Sequence, residues 1–91
     1  MVKAGFELEN GKNSGDVVVF CRFKPKKLIV KLIQYSYTPE NELSWVLGAA
    51  TRKNKVTLKK KDALKRLWVR YALVMDDTVF NYSEPISIMV I

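Results

Sequence analysis

The sequence contains no histidine, and this absence removes many kinds of catalytic and metal-binding site. Histidine is the commonest general base near neutral pH and the commonest protein ligand of transition metals. With one cysteine, Cys21, the chain also cannot form an internal disulfide or a cysteine- and histidine-rich zinc site. We therefore expect no metal, no cofactor and a fold held by packing alone. A single thiol is compatible with a reducing compartment such as the cytoplasm.

Other signals of chemistry and targeting are missing as well. There is no glycine-rich phosphate loop, no apolar run of the roughly 18 residues that span a bilayer, and no signal-peptide pattern in residues 1–15. The carboxylate pairs Glu40 with Glu42 and Asp76 with Asp77 lie at turn signals, where acids are usually solvated. We expect a protein that is not an enzyme.

What is present is enough apolar residues for one core. The 91 residues are 48% hydrophobic and 11% aromatic, which is too apolar for a disordered chain. This length is close to that of a single β-sandwich domain. Residues 1–91 are therefore interpreted as one domain.

Alternation of apolar and polar residues between turn signals predicts short strands throughout. Seven are predicted, over residues 2–9, 16–23, 28–37, 43–50, 54–58, 66–75 and 79–91. In the second of them, Val17, Val19, Cys21 and Phe23 share the phase expected to face inward. This spacing favours an all-β sandwich.

Residues 62–75 fit two structures. As a strand, the odd-numbered residues from Leu67 to Leu73 face the core, and Trp68, Arg70 and Ala72 face outward. As a helix, apolar residues from Leu64 to Met75 recur three and four positions apart, with Asp62 as the N-cap. We favour the strand. The helix would give an α+β fold with one helix at about 62–75.

The run from Val69 to Leu73, followed by Ser83, Glu84, Pro85 and Ile86, resembles the last hairpin of a fibronectin type III or related immunoglobulin-like domain. Leu67 stands where that family usually has a tyrosine, residues 17–23 lack its usual tryptophan, and no Arg-Gly-Asp occurs in 76–82. The resemblance implies a seven-stranded immunoglobulin-like sandwich that acts as a recognition module with exposed loops. We take this as the predicted fold.

Charge is the remaining functional signal, since the chain carries a net charge of +7. Residues 52–70 hold nine lysines and arginines against Asp62 alone, and residues 22–31 hold five against no acid. Such clusters could contact nucleic-acid phosphates, an anionic lipid surface or an acidic protein. We expect the acids at 40–42 to lie beside the 59–66 connection, and those at 76–77 beside the basic connection at 24–27.

The sequence thus predicts a non-catalytic module that binds another protein through loops or an edge strand. The alternatives are a nucleic-acid-binding domain that uses the basic 52–70 segment, or a structural subunit of a larger assembly. An apolar final strand at 86–91 also suggests self-association through a strand edge. The candidate binding residues are Lys59, Lys60, Lys61, Lys65, Arg66, Trp68 and Arg70, with Tyr35 and Tyr37 as possible stacking residues.

Overall fold

The computed structural model describes residues 6–21 and 30–91, which form eight β-strands in two antiparallel sheets. The strands are β1 Phe6–Asn10, β2 Val17–Cys21, β3 Val30–Ser36, β4 Val46–Thr51, β5 Lys55–Leu58, β6 Arg66–Met75, β7 Thr78–Val79 and β8 Ile86–Met89. The all-β prediction is confirmed, but the predicted number of strands is one too few. The predictions for residues 2–5, Phe23 and the basic connection at 24–27 fall outside the described residues.

The smaller sheet has the order β1-β2-β5, and the larger has β4-β3-β6 with β7 and β8 both paired to the far side of β6. Inward-facing apolar side chains of both sheets form the core between them. The predicted inward residues Val17, Val19 and Cys21 belong to this core. Residues at the alternate positions of β2 lie on the outer face of the smaller sheet.

Strand β6 settles the ambiguity of residues 62–75, because Arg66–Met75 is extended and not helical. It pairs with β3 along one edge and with β7 and β8 along the other. Leu67 and Val69 point inward and are fully buried. Ala72 was expected to face outward into solvent, but it is 0% exposed although it lies on the outer phase. A small side chain in the middle strand of the larger sheet is shielded by its larger neighbours.

The predicted last strand, residues 79–91, is divided into two. Val79 pairs with Val74 and Ile86 pairs with Val69, so the chain opposite β6 carries two more residues than β6 itself. The two extra residues belong to an irregular segment between β7 and β8. In this segment the Ser83 N–H donates to the Tyr71 carbonyl, and the Tyr71 N–H donates to the Ser83 hydroxyl. Pro85 has no N–H to add to a ladder. This break produces the eighth strand.

The beginning of β4 also differs from the prediction of a strand over 43–50. A 3₁₀-helix covers Glu42–Ser44, where the Asn41 side chain accepts a hydrogen bond from the Leu43 N–H, and β4 begins at Val46. The Ser44 hydroxyl lies 2.6 Å from the Ser36 hydroxyl and fixes this turn against β3. Trp45 is consequently held at the junction between the turn and the strand.

The two sheets are joined where β8 ends beside β1. The Asn10 side-chain amide donates to the Met89 carbonyl at 3.1 Å and accepts from the Ile91 N–H at 3.2 Å. Val90 is fully buried, and its N–H donates to the Lys65 carbonyl. The C-terminal residues are therefore tied to both sheets. Self-association through residues 86–91 stays a prediction.

Candidate interaction surface

The nine candidate residues fall on three separate parts of the fold. Two lie at the end of β3 and pack against the core, four lie in or next to the connection from β5 to β6, and three lie on the outer phase of β6. These groups are Tyr35 and Tyr37; Lys59, Lys60, Lys61 and Lys65; and Arg66, Trp68 and Arg70. The structure does not bring all nine into one site, so each group is considered by itself.

Tyr35 and Tyr37 pack against the core, with their ring centroids 6.5 Å apart in an edge-to-face arrangement. The Lys61 ammonium lies 3.9 Å from the centroid of Tyr35, and the Lys65 ammonium lies 5.7 Å from that of Tyr37. The Tyr37 hydroxyl accepts a hydrogen bond of 2.9 Å from the Asp62 N–H. The chain's own β5–β6 connection therefore covers both rings, which leaves little ring surface for a stacked base.

Lys59 and Lys60 are exposed on the same connection. Lys59 lines an open cleft of about 470 Å³ on the smaller sheet, together with two other lysines and the acids Glu9 and Asp16. Lys65 lies 3.7 Å from the Asp62 carboxylate. Bases and acids are thus mixed around this cleft, and it does not form a purely basic groove. Glu42, which we expected beside this connection, binds Arg70 instead.

The outer phase of β6 carries Arg66, Trp68 and Arg70 side by side on the larger sheet. Arg66 donates a hydrogen bond of 2.9 Å to the Ser87 hydroxyl of β8. Trp68 is half-buried and pairs in register with Ser36 and Ser87. The outward direction predicted for Trp68 and Arg70 agrees with this register.

The Arg70 side chain contacts two aromatic rings and two polar side chains. Its guanidinium carbon lies 4.2 Å from the ring centroid of Trp45 and 4.2 Å from that of Tyr82, so the group is stacked between the two rings. Its Nε donates to the Gln34 side chain at 2.9 Å, and its two terminal nitrogens donate to the Glu42 carboxylate at 3.1 and 3.3 Å. The Arg70 side chain is 11% exposed.

The typical energies of these interactions indicate which contacts hold the Arg70 side chain in place. The Glu42 side chain is 77% exposed, and an exposed ion pair contributes about 0–1 kcal/mol. A cation stacked on an aromatic ring gains about 0.5–1 kcal/mol in the open and about 2 kcal/mol when desolvated, and Arg70 has two such rings. The rings and the Gln34 amide therefore hold the guanidinium, and the Glu42 carboxylate is the partner most easily replaced.

We call this surface the arginine face and define it by six residues. They are Gln34, Trp45, Leu47, Trp68, Arg70 and Tyr82. Leu47 pairs with Gln34 on the same phase and is 55% exposed. Leu43, next to Glu42, is 94% exposed. The face thus combines a fixed cation with aromatic rings and accessible apolar side chains.

Sequence reasoning found Arg70 and Trp68 but missed Trp45, Tyr82, Gln34 and Glu42. They come from three segments: Gln34 lies in β3, Glu42 and Trp45 lie in the turn before β4, and Tyr82 follows β7. The pairing of β3 with β4 and β6, and the bulge after β7, bring them together. One signal was available: Gln34 is a polar residue between Ile33 and Tyr35 in the predicted strand at 28–37. The positions of Trp45 and Tyr82 depend on irregular backbone that alternation does not reveal.

The thiol of Cys21 is buried. Burial raises the pKa of the Cys21 thiol to about 11, although the nearby Lys31 ammonium opposes the shift. Among the described residues, no cluster of three metal-ligating side chains could hold an ion. Within residues 6–21 and 30–91 there is also no helix with the length and apolar character needed to cross a bilayer.

No protein-family model matches the chain, and no curated protein matches it significantly. The functional interpretation therefore depends on the geometry of the chain itself.

Proposed function

We propose that this protein is a non-catalytic interaction module that binds another protein through the arginine face. The observation that carries the proposal is the stacking of Arg70 between Trp45 and Tyr82 at 4.2 Å each. A side chain already fixed in one conformation loses little entropy when a partner binds it. Aromatic residues and arginine are also the residue types enriched in protein interfaces and their energetic centres.

The arrangement of the strands supports the proposed likeness to immunoglobulin and fibronectin type III domains. In immunoglobulin constant-type domains, the first, second, fourth and fifth strands share one sheet, while the variable type adds strands beside the third. Here β1, β2 and β5 share one sheet, and β4 lies beside β3 in the other. Because one fold serves many functions, this likeness supports a recognition role only weakly.

The remaining donors of Arg70 indicate the chemistry of the partner. A guanidinium has five N–H groups, and three of those on Arg70 are used in the bonds to Gln34 and Glu42. The other two, together with exposed Leu43 and Leu47, suit a partner with an acceptor group beside an apolar side chain. We expect Arg70 to be the energetic centre of the contact.

Site-directed photo-crosslinking tests the location of the surface. A photoreactive phenylalanine analogue replaces Leu47 on the arginine face, or Thr57 on the outer face of the smaller sheet as the control. In a lysate of the source organism, we expect a discrete cross-linked protein from position 47 and none from position 57. The same adduct from both positions would argue against a defined surface.

Matched substitutions then test the role of Arg70 with the purified partner. Arg70→Lys keeps the charge but loses the two stacked rings and the forked bonds, and we expect at least tenfold weaker binding. Arg66→Lys is the control, because it makes the same change four residues away on the same strand. Thermal unfolding of both variants excludes loss of the fold as the cause. Equal affinities for the two variants would refute the proposal.

The nucleic-acid alternative receives less support from the geometry. Lys61 and Lys65 lie over the rings of Tyr35 and Tyr37, the residues proposed for stacking. Lys59 shares its cleft with Glu9 and Asp16. Exposed lysines without a stacking platform supply mainly nonspecific, salt-sensitive attraction.

A further inference from the structure

Strand β4 has an accessible backbone edge. It pairs with β3 on one side, and within the described residues no backbone hydrogen bond joins Val46–Thr51 to any other segment. Val46 is 48% exposed. Gly48 is also exposed, and since glycine has no side chain, its exposed area is backbone. The peptide groups on this edge are therefore open to another strand.

Other edges among the described strands have features that oppose pairing. The Asn10 side chain bridges the end of β8 to β1, which occupies polar groups at that corner. Strand β5 carries the exposed Lys55, and β7 has only two residues. Natural sheets blunt their edges with charge, proline, short strands or cover, whereas residues 46–51 contain neither a charged residue nor a proline. This difference marks β4 as a pairing edge.

We propose that β4 pairs antiparallel with β4 of a second copy of this chain, about a two-fold axis near Gly48 and Ala49. The two larger sheets would then become one continuous sheet. A two-fold axis presents the same edge to itself, so each copy satisfies the other. This inference is independent of which protein binds the arginine face.

The charges at the two ends of β4 favour a second copy of this chain as the partner, and they favour antiparallel over parallel pairing. The acids Glu40 and Glu42 precede the strand, and Arg52 and Lys53 follow it, all four being exposed. Antiparallel pairing of identical strands brings the acidic end of one copy beside the basic end of the other. Parallel pairing would bring like charges together. Exposed charge pairs add little affinity, but they discriminate between orientations.

Gly48 fits this role although it forms a bulge. Gln34 pairs with Leu47 and Ile33 with Ala49, so Gly48 is the extra residue. A Cβ at Gly48 would lie 2.8 Å from a methyl carbon of Leu58 and 3.1 Å from the Tyr35 ring, so a larger residue would displace side chains on the core side. A strand glycine also lets another backbone approach closely. Because the bulge shortens the regular ladder, we expect a weak dimer, with Kd roughly in the micromolar to millimolar range.

Sedimentation velocity across concentration tests the edge. We expect the mass of the wild-type protein to rise from monomer toward dimer as the concentration approaches about 1 mM. Ala50→Lys adds a charge to the edge at an exposed position and should keep the protein monomeric. Ala63→Lys, the same change at an exposed loop position, should associate like the wild type. A wild-type monomer at every concentration, or an Ala50→Lys variant that dimerises normally, would overturn the proposal.

A charge swap tests the orientation. Glu40→Lys and Arg52→Glu should each weaken association severalfold, and the double variant should restore it, because it re-creates unlike ends at the original net charge. Parallel pairing would keep like charges opposite each other in every variant, so it predicts no loss of association in the single variants, and that result would overturn the antiparallel arrangement.

Discussion

At the scale of single residues, Lys31 is the unusual member of the core. Its side chain is fully buried, and its ammonium donates to the Cys21 carbonyl at 2.6 Å, the Asn54 side-chain oxygen at 2.8 Å and the Lys53 carbonyl at 3.3 Å. Each of the three N–H groups of the ammonium thus has an oxygen acceptor. This burial was not predicted, because Lys31 was interpreted as part of a basic cluster. Its role is to tie β2 and β3 to the turn before β5.

We therefore expect Lys31→Met to lower the free energy of unfolding by about 1–3 kcal/mol, because the buried Cys21 carbonyl loses a charged donor. Urea unfolding at neutral pH measures this. Lys53→Met is the control: its side chain is exposed, and such changes usually stay within about 0.5 kcal/mol. If Lys31→Met were as stable as the wild type, the cost of burying the ammonium would equal the gain from its bonds.

Cys21 makes the fold sensitive to alkaline pH. Burial raises its pKa from 9.0 to about 11, so the unfolded chain releases the thiol proton at lower pH than the native protein does. The stabilising effect of the thiol is complete below pH 9 and is lost between about pH 9 and pH 11, with an upper limit near 3 kcal/mol. Burial also raises the pKa of Tyr71, which acts in the same direction above pH 10.

The measurement is the urea midpoint of the wild type and of Cys21→Ala from pH 7 to pH 10.5. We expect the wild-type midpoint to fall more steeply above pH 9 than that of the variant. Parallel curves for the two proteins would show that the thiol does not titrate differently in the folded and unfolded states.

At the scale of elements, the turn between β6 and β7 is strained. Asp76 and Asp77 have φ of 51° and 64°, and the flanking Met75 and Thr78 pair with each other. This is the geometry of a type I′ hairpin turn, in which Asn-Gly is the preferred sequence. The aspartates were predicted as turn residues, but only the structure reveals the left-handed backbone.

Asp77→Gly should raise the free energy of unfolding by about 0.5–1 kcal/mol, since glycine adopts positive φ without the cost that a Cβ imposes. Asp77→Val, with a β-branched side chain at the same position, should lower it by at least as much. Thermal or urea unfolding measures both. Equal stabilities of the glycine and valine variants would contradict the assigned turn.

Elements also show how far the sequence could predict this fold. Alternation located β1, β2, β3 and β6 well, and the strand at 66–75 was preferred correctly over a helix. Residues 66–75 form a strand because they pair with neighbouring strands on both edges, and a local sequence pattern does not reveal such pairing. The break at 80–85 was missed because Phe80 and Tyr82 continue the alternation of apolar and polar residues while the backbone bulges. The same irregularity brings Tyr82 over Arg70, so the candidate site could be predicted only in part.

At the scale of the whole molecule, net charge and surface geometry favour different partners. The charge of +7 attracts polyanions at low salt, whereas the arginine face is a localised and mostly apolar surface. We expect binding to a labelled random oligonucleotide at low salt to disappear near physiological ionic strength. A fluorescence anisotropy titration measures this, with Lys59→Glu and Lys60→Glu as variants. Retained binding that these two changes abolish would favour the nucleic-acid function instead.

The central claim is that a protein partner covers the arginine face. Amide hydrogen–deuterium exchange of this chain, with and without the partner captured by cross-linking at position 47, tests it most directly. We predict slower exchange on binding around residues 43–47, 68–70 and 80–84, and unchanged exchange around residues 55–61. Slower exchange around residues 55–61, with residues 43–47 and 80–84 unaffected, would contradict the claim.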